Sequence, residues 1–519
     1  MEQGNSPVAA WSPEQTINGL MDRFAKPCIR LHRPFPPPRE RRGRSKFGGL
    51  PNLPDDVEWP YGHEHFGFKR GRIPLHFMAQ IDCSELPRID PALPSSGMLF
   101  FFANVDDAAD WMEHPADHYR RVIYVADVAA SQPLRQPPAE LPLIGTASLV
   151  DKGYLGSPYP LGYRFGHRPD DPLSGRIYFE WPIEFVVTDS YPKFEEVFET
   201  HAWRDLVQLC NEHAVEEKAR GGSDWWDEGT LGDYYQEHCA GRNQQRLHDA
   251  LGLPRPPGEH PQRAPKIWRN VDKTMQGAFP PTAAFISEIA TAIDNKLRDT
   301  MREQQGRSYN PIPPRADDGR MFDQLAGKVR GVFGLRQSPP LQPALALPGP
   351  NWLEDIELVR QETAEWLQFS RAKPADDLLD SETRARFLCW LDGFEDNGFA
   401  RIAGHKPQVG DIYYIFNAAM FQLARVAPAQ PAVHAHFPDE LYDMYYFMSG
   451  GAHHQMLGHF PCSQEPVPRG AHMVPLLHLS YDTVPDFRIC DVGELQFFID
   501  ARDLANRDFR RVETQMQGG

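Results

Sequence analysis

The chain has 519 residues, 41% apolar and 11% aromatic, enough to build packed cores in two to four domains at about 100 to 200 residues each. Its 54 Lys plus Arg stand against 71 Asp plus Glu, a formal charge of −17, which argues against a general nucleic-acid binder that must track phosphates with cationic excess. Fifty prolines, close to one residue in ten, predict short strands and ordered loops rather than long helices throughout. The start, MEQGNSPVAAWSPEQ, has no cationic segment followed by an apolar one, and no run approaches the ~18 apolar residues of a membrane span. Seven single cysteines without a C-x-x-C pair fit a reducing compartment, so the expected location is cytoplasmic.

Residues 1–44 read as an extended, basic and proline-rich lead-in. A short helix is expected around Pro13 to Phe24, followed by Pro34-Phe35-Pro36-Pro37-Pro38 and a basic cluster running from Arg39 to Lys46. Residues 45–190 read as β. The runs Pro74–Asp82, Gly97–Phe102, Arg121–Asp127 and Gly175–Val187 are short, apolar and bounded by turn formers, and Pro182 restricts its strand to an edge or bulge. Residues 191–449 switch to a helical period, with apolar positions three and four apart in Phe194–Cys210, Ile356–Leu367, Arg384–Leu391 and Tyr413–Ala424. Proline-rich connectors at 253–265 and 311–350 interrupt this block, the second long enough to be either a tether or a lid. Residues 450–519 return to β with Val474–Tyr481 and Gly493–Asp500, closing with Asp503–Val512.

The two β segments resemble each other. PLHFMAQID, a loop and GMLFFF near the start match VPLLHLSYD, a loop and GELQFFID near the end, as a duplication would leave them. The expected fold is therefore α+β: a mainly β, internally duplicated core with a large helical insertion between its halves.

Further residues resemble a known bacterial family. Ser45-Lys46-Phe47-Gly48-Gly49-Leu50-Pro51-Asn52-Leu53-Pro54 with Trp59-Pro60, Ala79-Gln80-Ile81-Asp82 and Gly97-Met98-Leu99-Phe100-Phe101 are similar to the opening motifs of the YwqG-like proteins. Near the end, His454, Gly458, Pro461 and Gln464, then Asp491, Gly493, Leu495, Phe497, Phe498, Ile499 and Asp503-Leu504, resemble that family's closing motifs. The matches cover roughly 45–105 and 450–512. His478 stands where the family carries glutamine, its tryptophan before the aspartate-glycine pair is missing, and Phe460 is an extra residue. The resemblance implies the duplicated β core and no established reaction; members that neighbour secreted toxins point to an immunity role.

Three groups of residues are candidates for function. Gln80, Asp82, His454, Gln464, His478 and Asp491 are polar residues on or beside the paired β motifs, where a duplicated core would line a ligand cleft or lock its halves together. Arg44, Lys46, Gly48 and Gly49 form an anion-site candidate, because glycine exposes backbone N–H groups and the cations add charge; the plainer alternative is a tight turn. Trp225, Trp226, Asp227 and Glu228 form a partner-binding candidate, two indoles among acids. Histidines 453, 454, 459, 472 and 478 with Cys462 match no metal-ligand spacing, and no metal or other cofactor is expected. Catalytic residues stay unassigned, since neither a nucleophile elbow nor a dinucleotide fingerprint occurs. The reading favours a non-catalytic protein-binding module, with a toxin as the partner to neutralise, and no nucleic-acid or membrane partner. The alternative is a small-ligand binder or enzyme, metal-dependent or not, using a polar cleft between the β halves.

Overall fold

A computed structural model describes residues 13–34, 38, 43–65, 69–105, 119–142, 144, 172–173, 175–192, 267–309, 352–394, 453–460, 472–482, 484–487 and 493–517, with 470, 489 and scattered positions in 204–251 and 415–437. The connector 311–350, the Trp225–Glu228 segment, Gln464 and Asp491 lie outside these residues, as does most of the helix read over Phe194–Cys210. The chain divides into two compact units. Met1–Ser157, Asp170–His260 and Tyr442–Gly519 form the first, Pro158–Pro169 and Pro261–Leu441 the second.

The first unit opens with α1 (Pro13–Phe24) and carries two antiparallel sheets. Its strands are β1 (Lys26–His32), β2 (Lys46–Phe47), β3 (Tyr61–His65), β4 (Lys69–Pro74), β5 (His76–Asp82), β6 (Met98–Ala103), β7 (Arg120–Val125), β8 (Trp181–Pro182) and β9 (Glu184–Ser190) from the first part of the chain. β10 (Gln455–Met456), β11 (Met473–Ser480), β12 (Glu494–Asp500) and β13 (Glu513–Gln517) come from the last part. One sheet has the order β7-β6-β5-β2-β8 and the other β13-β12-β11-β10-β1-β9, while β3 and β4 form a separate hairpin. Pro182 sits on the edge strand β8, where its missing N–H costs no ladder bond. The closing stretch Asp503–Val512 is largely helical: α2 (Ala501–Ala505) and a 3-10 turn (Phe509–Arg511) precede β13. Asp500 and Asp508 cap these turns through their side chains, a local signal that outcompetes strand continuation.

The lead-in expected over residues 1–44 contains a central strand. β1 pairs along its whole length with β9 and also with β10, so an N-terminal segment completes the sheet of the C-terminal half. Charged Arg30 and Pro27 disguise this strand in the sequence. Arg30 is nevertheless buried, its guanidinium donating to His453 Nδ1 at 2.6 Å.

The duplication is visible in the strand register. β2 pairs with β5 through Lys46 and Gln80, and β10 pairs with β11 through Gln455 and His478. Both long hairpins carry the same bulge, at Phe77/Ala79 in β5 and at Pro475/Leu477 in β11, after which Gln80 faces Phe100 and His478 faces Gln496. Both two-residue strands end because the next two residues adopt positive φ: Gly48 (53°) and Gly49 (69°) after β2, Leu457 (62°) and Gly458 (72°) after β10. A Cβ on Gly48 would lie 2.2 Å from the Phe179 carbonyl oxygen, so only glycine fits there. Equivalent aromatic residues meet where the sheets touch: Phe101 of β6 packs edge-on against Phe497 of β12 at 5.3 Å between ring centroids.

The second unit holds α3 (Ile267–Thr274), α4 (Ala283–Tyr309), α5 (Trp352–Arg371) and α6 (Ser381–Asp392), with a short turn at Pro431–His434. α4 packs on α5. Asp380 caps α6 by accepting the Thr383 N–H at 2.7 Å. Trp366 of α5 meets Phe387 of α6 edge-on at 5.1 Å and Trp390 of α6 at 6.2 Å, an aromatic seam between consecutive helices.

Candidate functional site

Of the polar residues singled out on the β motifs, Gln80, Asp82, His454 and His478 are buried and hydrogen-bonded inside the first unit. Gln80 is fully buried on β5: its Nε2 donates to the Arg44 carbonyl at 2.8 Å and to Asn52 Oδ1 at 2.9 Å, and its Oε1 accepts the Asn52 N–H at 2.9 Å. Three bonds use most of what a carboxamide offers. His478 holds the equivalent place on β11, its Nδ1–H donating to the His453 carbonyl, which corresponds to Arg44. Two more bonds repeat. The Asp82 N–H donates to Ser45 Oγ at 2.9 Å as the Ser480 N–H donates to His454 Nδ1 at 3.3 Å; Lys46 Nζ reaches the Leu50 carbonyl at 2.6 Å as Gln455 Nε2 reaches that of His459 at 2.8 Å. Side chains of different chemistry thus perform the same bond in each copy. Among the described residues, the side chains of Gln80 and Asp82 bond within the first copy and those of His454 and His478 within the second or to its neighbours.

His478 performs its role less completely than Gln80. Its Nε2 is buried without a hydrogen-bond partner, and the nearest carboxylate oxygen, Glu494 Oε2, is 3.8 Å away. Replacement by glutamine keeps a donor for the His453 carbonyl, and His478→Gln should stay within about 1 kcal/mol of the parent. His478→Ala leaves that carbonyl unpaired and opens a cavity, at a cost of about 2–3 kcal/mol. Urea midpoints of the two variants check this; equal losses would remove the parallel with Gln80.

A second buried group joins the ends of the chain. Asp482 accepts from the Arg33 side chain, from His454 Nε2 at 2.9 Å and from the Val484 N–H at 3.0 Å. Burial pushes the Asp482 carboxyl up, but Arg33 and His454 outweigh it and hold it below the usual carboxylate range. Burial holds the His454 imidazole below its ordinary value against the pull of Asp482, so the ring is neutral. Because Nδ1 accepts from Ser480, the proton lies on Nε2 and points at Asp482. His453 is held well below the ordinary range by the Arg30 guanidinium and by burial.

Ser480, His454 and Asp482 share residue types with a hydrolytic triad, but the geometry differs. His454 bonds the Ser480 backbone N–H, and the Ser480 hydroxyl accepts the His453 N–H at 2.8 Å. No base faces that hydroxyl through His454, and both histidine nitrogens are occupied inside the core.

The anion cradle expected from Arg44, Lys46, Gly48 and Gly49 is spent on the chain itself. The Gly48 and Gly49 N–H groups donate to the Met78 and Tyr178 carbonyls at 2.8 and 2.9 Å. Lys46, fully buried, pairs with Glu180 at 2.7 Å, and Arg44 donates to the Val128 and Ala129 carbonyls. The paired glycines serve the turn, because the double positive φ brings one N–H onto β5 and the other onto the loop that leads into β8. The tryptophan pair with Asp227 and Glu228 lies outside the described residues, as do Gln464 and Asp491.

An open site lies elsewhere in the first unit. A groove of about 900 Å³ runs between the β3–β4 hairpin, β7 and the turn after α2. Its charged lining is Arg72, Arg121, Arg507 and Arg510 with Glu58 and Asp508. None of these was singled out in the sequence, because they come from three separated segments and match no motif. Among the described residues, no three His, Cys, Asp or Glu side chains converge as metal ligands, and no helix is long and apolar enough to cross a membrane.

The architecture is that of a duplicated two-sheet α+β protein, with the polar positions of each copy turned inward and a helical unit inserted in the chain. Residues 45–264 and 377–517, about seven-tenths of the chain, match the family described as "Domain of unknown function (DUF1963)", and the chain belongs to that family. The intervening unmatched stretch, 265–376, holds α3, α4 and α5. A search of curated proteins gives no match.

Proposed function

We propose that this chain is a YwqG-like, non-catalytic binding protein of the bacterial cytoplasm that recognises another protein, with a toxin it neutralises as the favoured partner. The observation that carries this reading is the saturation of the core: Lys46, Gln80, His454 and Asp482, the side chains best suited to chemistry, are each bonded to other groups of the chain and shut from solvent. A chain with charge −17 also steers toward basic partners. The tagged protein purified from its native host should carry a partner in stoichiometric amount. Protein that returns alone, and shields cells from no neighbouring toxin, would sink the reading.

A second reading, small-ligand binding, is favoured by the arginine-lined groove. It offers a polar ligand a place to enter besides the cleft expected between the β halves.

A further inference from the structure

We propose that this groove binds a small phosphate ester carrying a planar ring. The argument begins with charge. Four arginines against two carboxylates leave a local excess of two positive charges on a chain that is strongly acidic as a whole. A phosphate monoester carries about −1.5 to −2 at pH 7, which matches that excess, whereas a single carboxylate carries only one charge.

Pairing within the groove sharpens the assignment. Arg72 pairs with Glu58 and lies over the Tyr61 ring at 4.1 Å, and Arg510 pairs with Asp508 at 2.7 Å. Arg121 and Arg507 also line the groove, and neither guanidinium has a hydrogen bond or ion pair among the described residues. Arg121 projects from β7, and Arg507 sits in the tight turn after α2 with φ 56°. A non-glycine residue at positive φ is uncommon, and here it belongs to a turn held by the Arg507 N–H on the Leu504 carbonyl. Guanidinium groups present planar donor forks that fit phosphate oxygens two at a time.

The remaining lining suits a ring. Tyr61 and Tyr124 are half-buried, and Tyr124 packs against Phe509 with ring centroids 5.5 Å apart. Aromatic faces beside arginines hold planar groups by stacking and cation–π attraction. A volume of about 900 Å³ suits a small molecule of nucleotide size.

Titration calorimetry on the full chain at low salt tests the proposal, with phenyl phosphate and adenosine monophosphate as ligands, and adenosine and inorganic phosphate as controls. At least one ester should bind with a Kd below about 1 mM. Adenosine and inorganic phosphate should each bind at least about tenfold more weakly, since each lacks one half of the recognised chemistry. The double variant Arg121→Gln, Arg507→Gln should lose at least about tenfold in ester affinity while keeping the parent melting temperature. No ester binding, unchanged binding by a folded double variant, or equal binding of either control would overturn the proposal. The protein-partner reading survives those outcomes, since capture of a stoichiometric partner is read separately.

Discussion

Replacing Asp482 with alanine should destabilise the protein by about 3–5 kcal/mol, the usual cost of stranding a buried charge. Its carboxylate is fully buried and Arg33 is only 7% exposed, so the guanidinium cannot regain water when its partner is removed. His454 loses its acceptor at the same time, and the turn at Val484 loses a bond. The effect should be partly reversible: Arg33→Met combined with Asp482→Ala removes the stranded charge and recovers part of the loss. Urea midpoints of the two single variants and the double variant form the cycle. A loss below about 1 kcal/mol in Asp482→Ala would show that solvent reaches Arg33 and that this pair is not a buried pin.

Acid should weaken the protein well above the pH at which carboxylates protonate. Burial, with help from Lys26, pushes the His459 imidazole down to about 4, although its Nε2–H donates to the Phe24 carbonyl at 3.0 Å. His453 and His454 are also held below their ordinary values. For each, the unfolded chain binds a proton at higher pH than the folded one. The stability they contribute is therefore present above about pH 6.5 and is lost as pH falls through the folded values. For His459 alone the full loss is at most about 3 kcal/mol, reached only near pH 4. Asp482, whose folded value lies below the unfolded one, adds a further loss below about pH 3.9. Melting temperatures from pH 7.5 to 4.5 at constant ionic strength should fall steadily. His459→Gln keeps a donor for the Phe24 carbonyl without a titrating ring, so its curve should be flatter between pH 6.5 and 4.5. A variant curve parallel to the parent's would assign the acid lability to other groups.

Much of the core was legible because a strand buried on both faces leaves a compact apolar signature. GMLFFF and GELQFFID announce β6 and β12 from either end of the chain, and their shared pattern anticipates the duplication. β1 was hidden, because its arginine is buried through a bond to His453, more than four hundred residues away. The helical period over Ile356–Leu367 marked α5, and Arg384–Leu391 marked α6. The polar residues were conspicuous, but their direction was not. A histidine or glutamine on a strand reads alike whether it opens to a ligand or bonds a neighbouring carbonyl.

The sequence alone determined the α+β class, the acidic balance and the paired β motifs, since each depends on local composition and on periods of two or three to four residues. Tertiary structure decided the rest. Only the register shows Gln80 and His478 to be counterparts performing one bond with different chemistry, and only folding brings Arg72, Arg121 and Arg507 to one groove. The physical reason is that polar groups act through partners and shared volume, and pairing across hundreds of residues sets both.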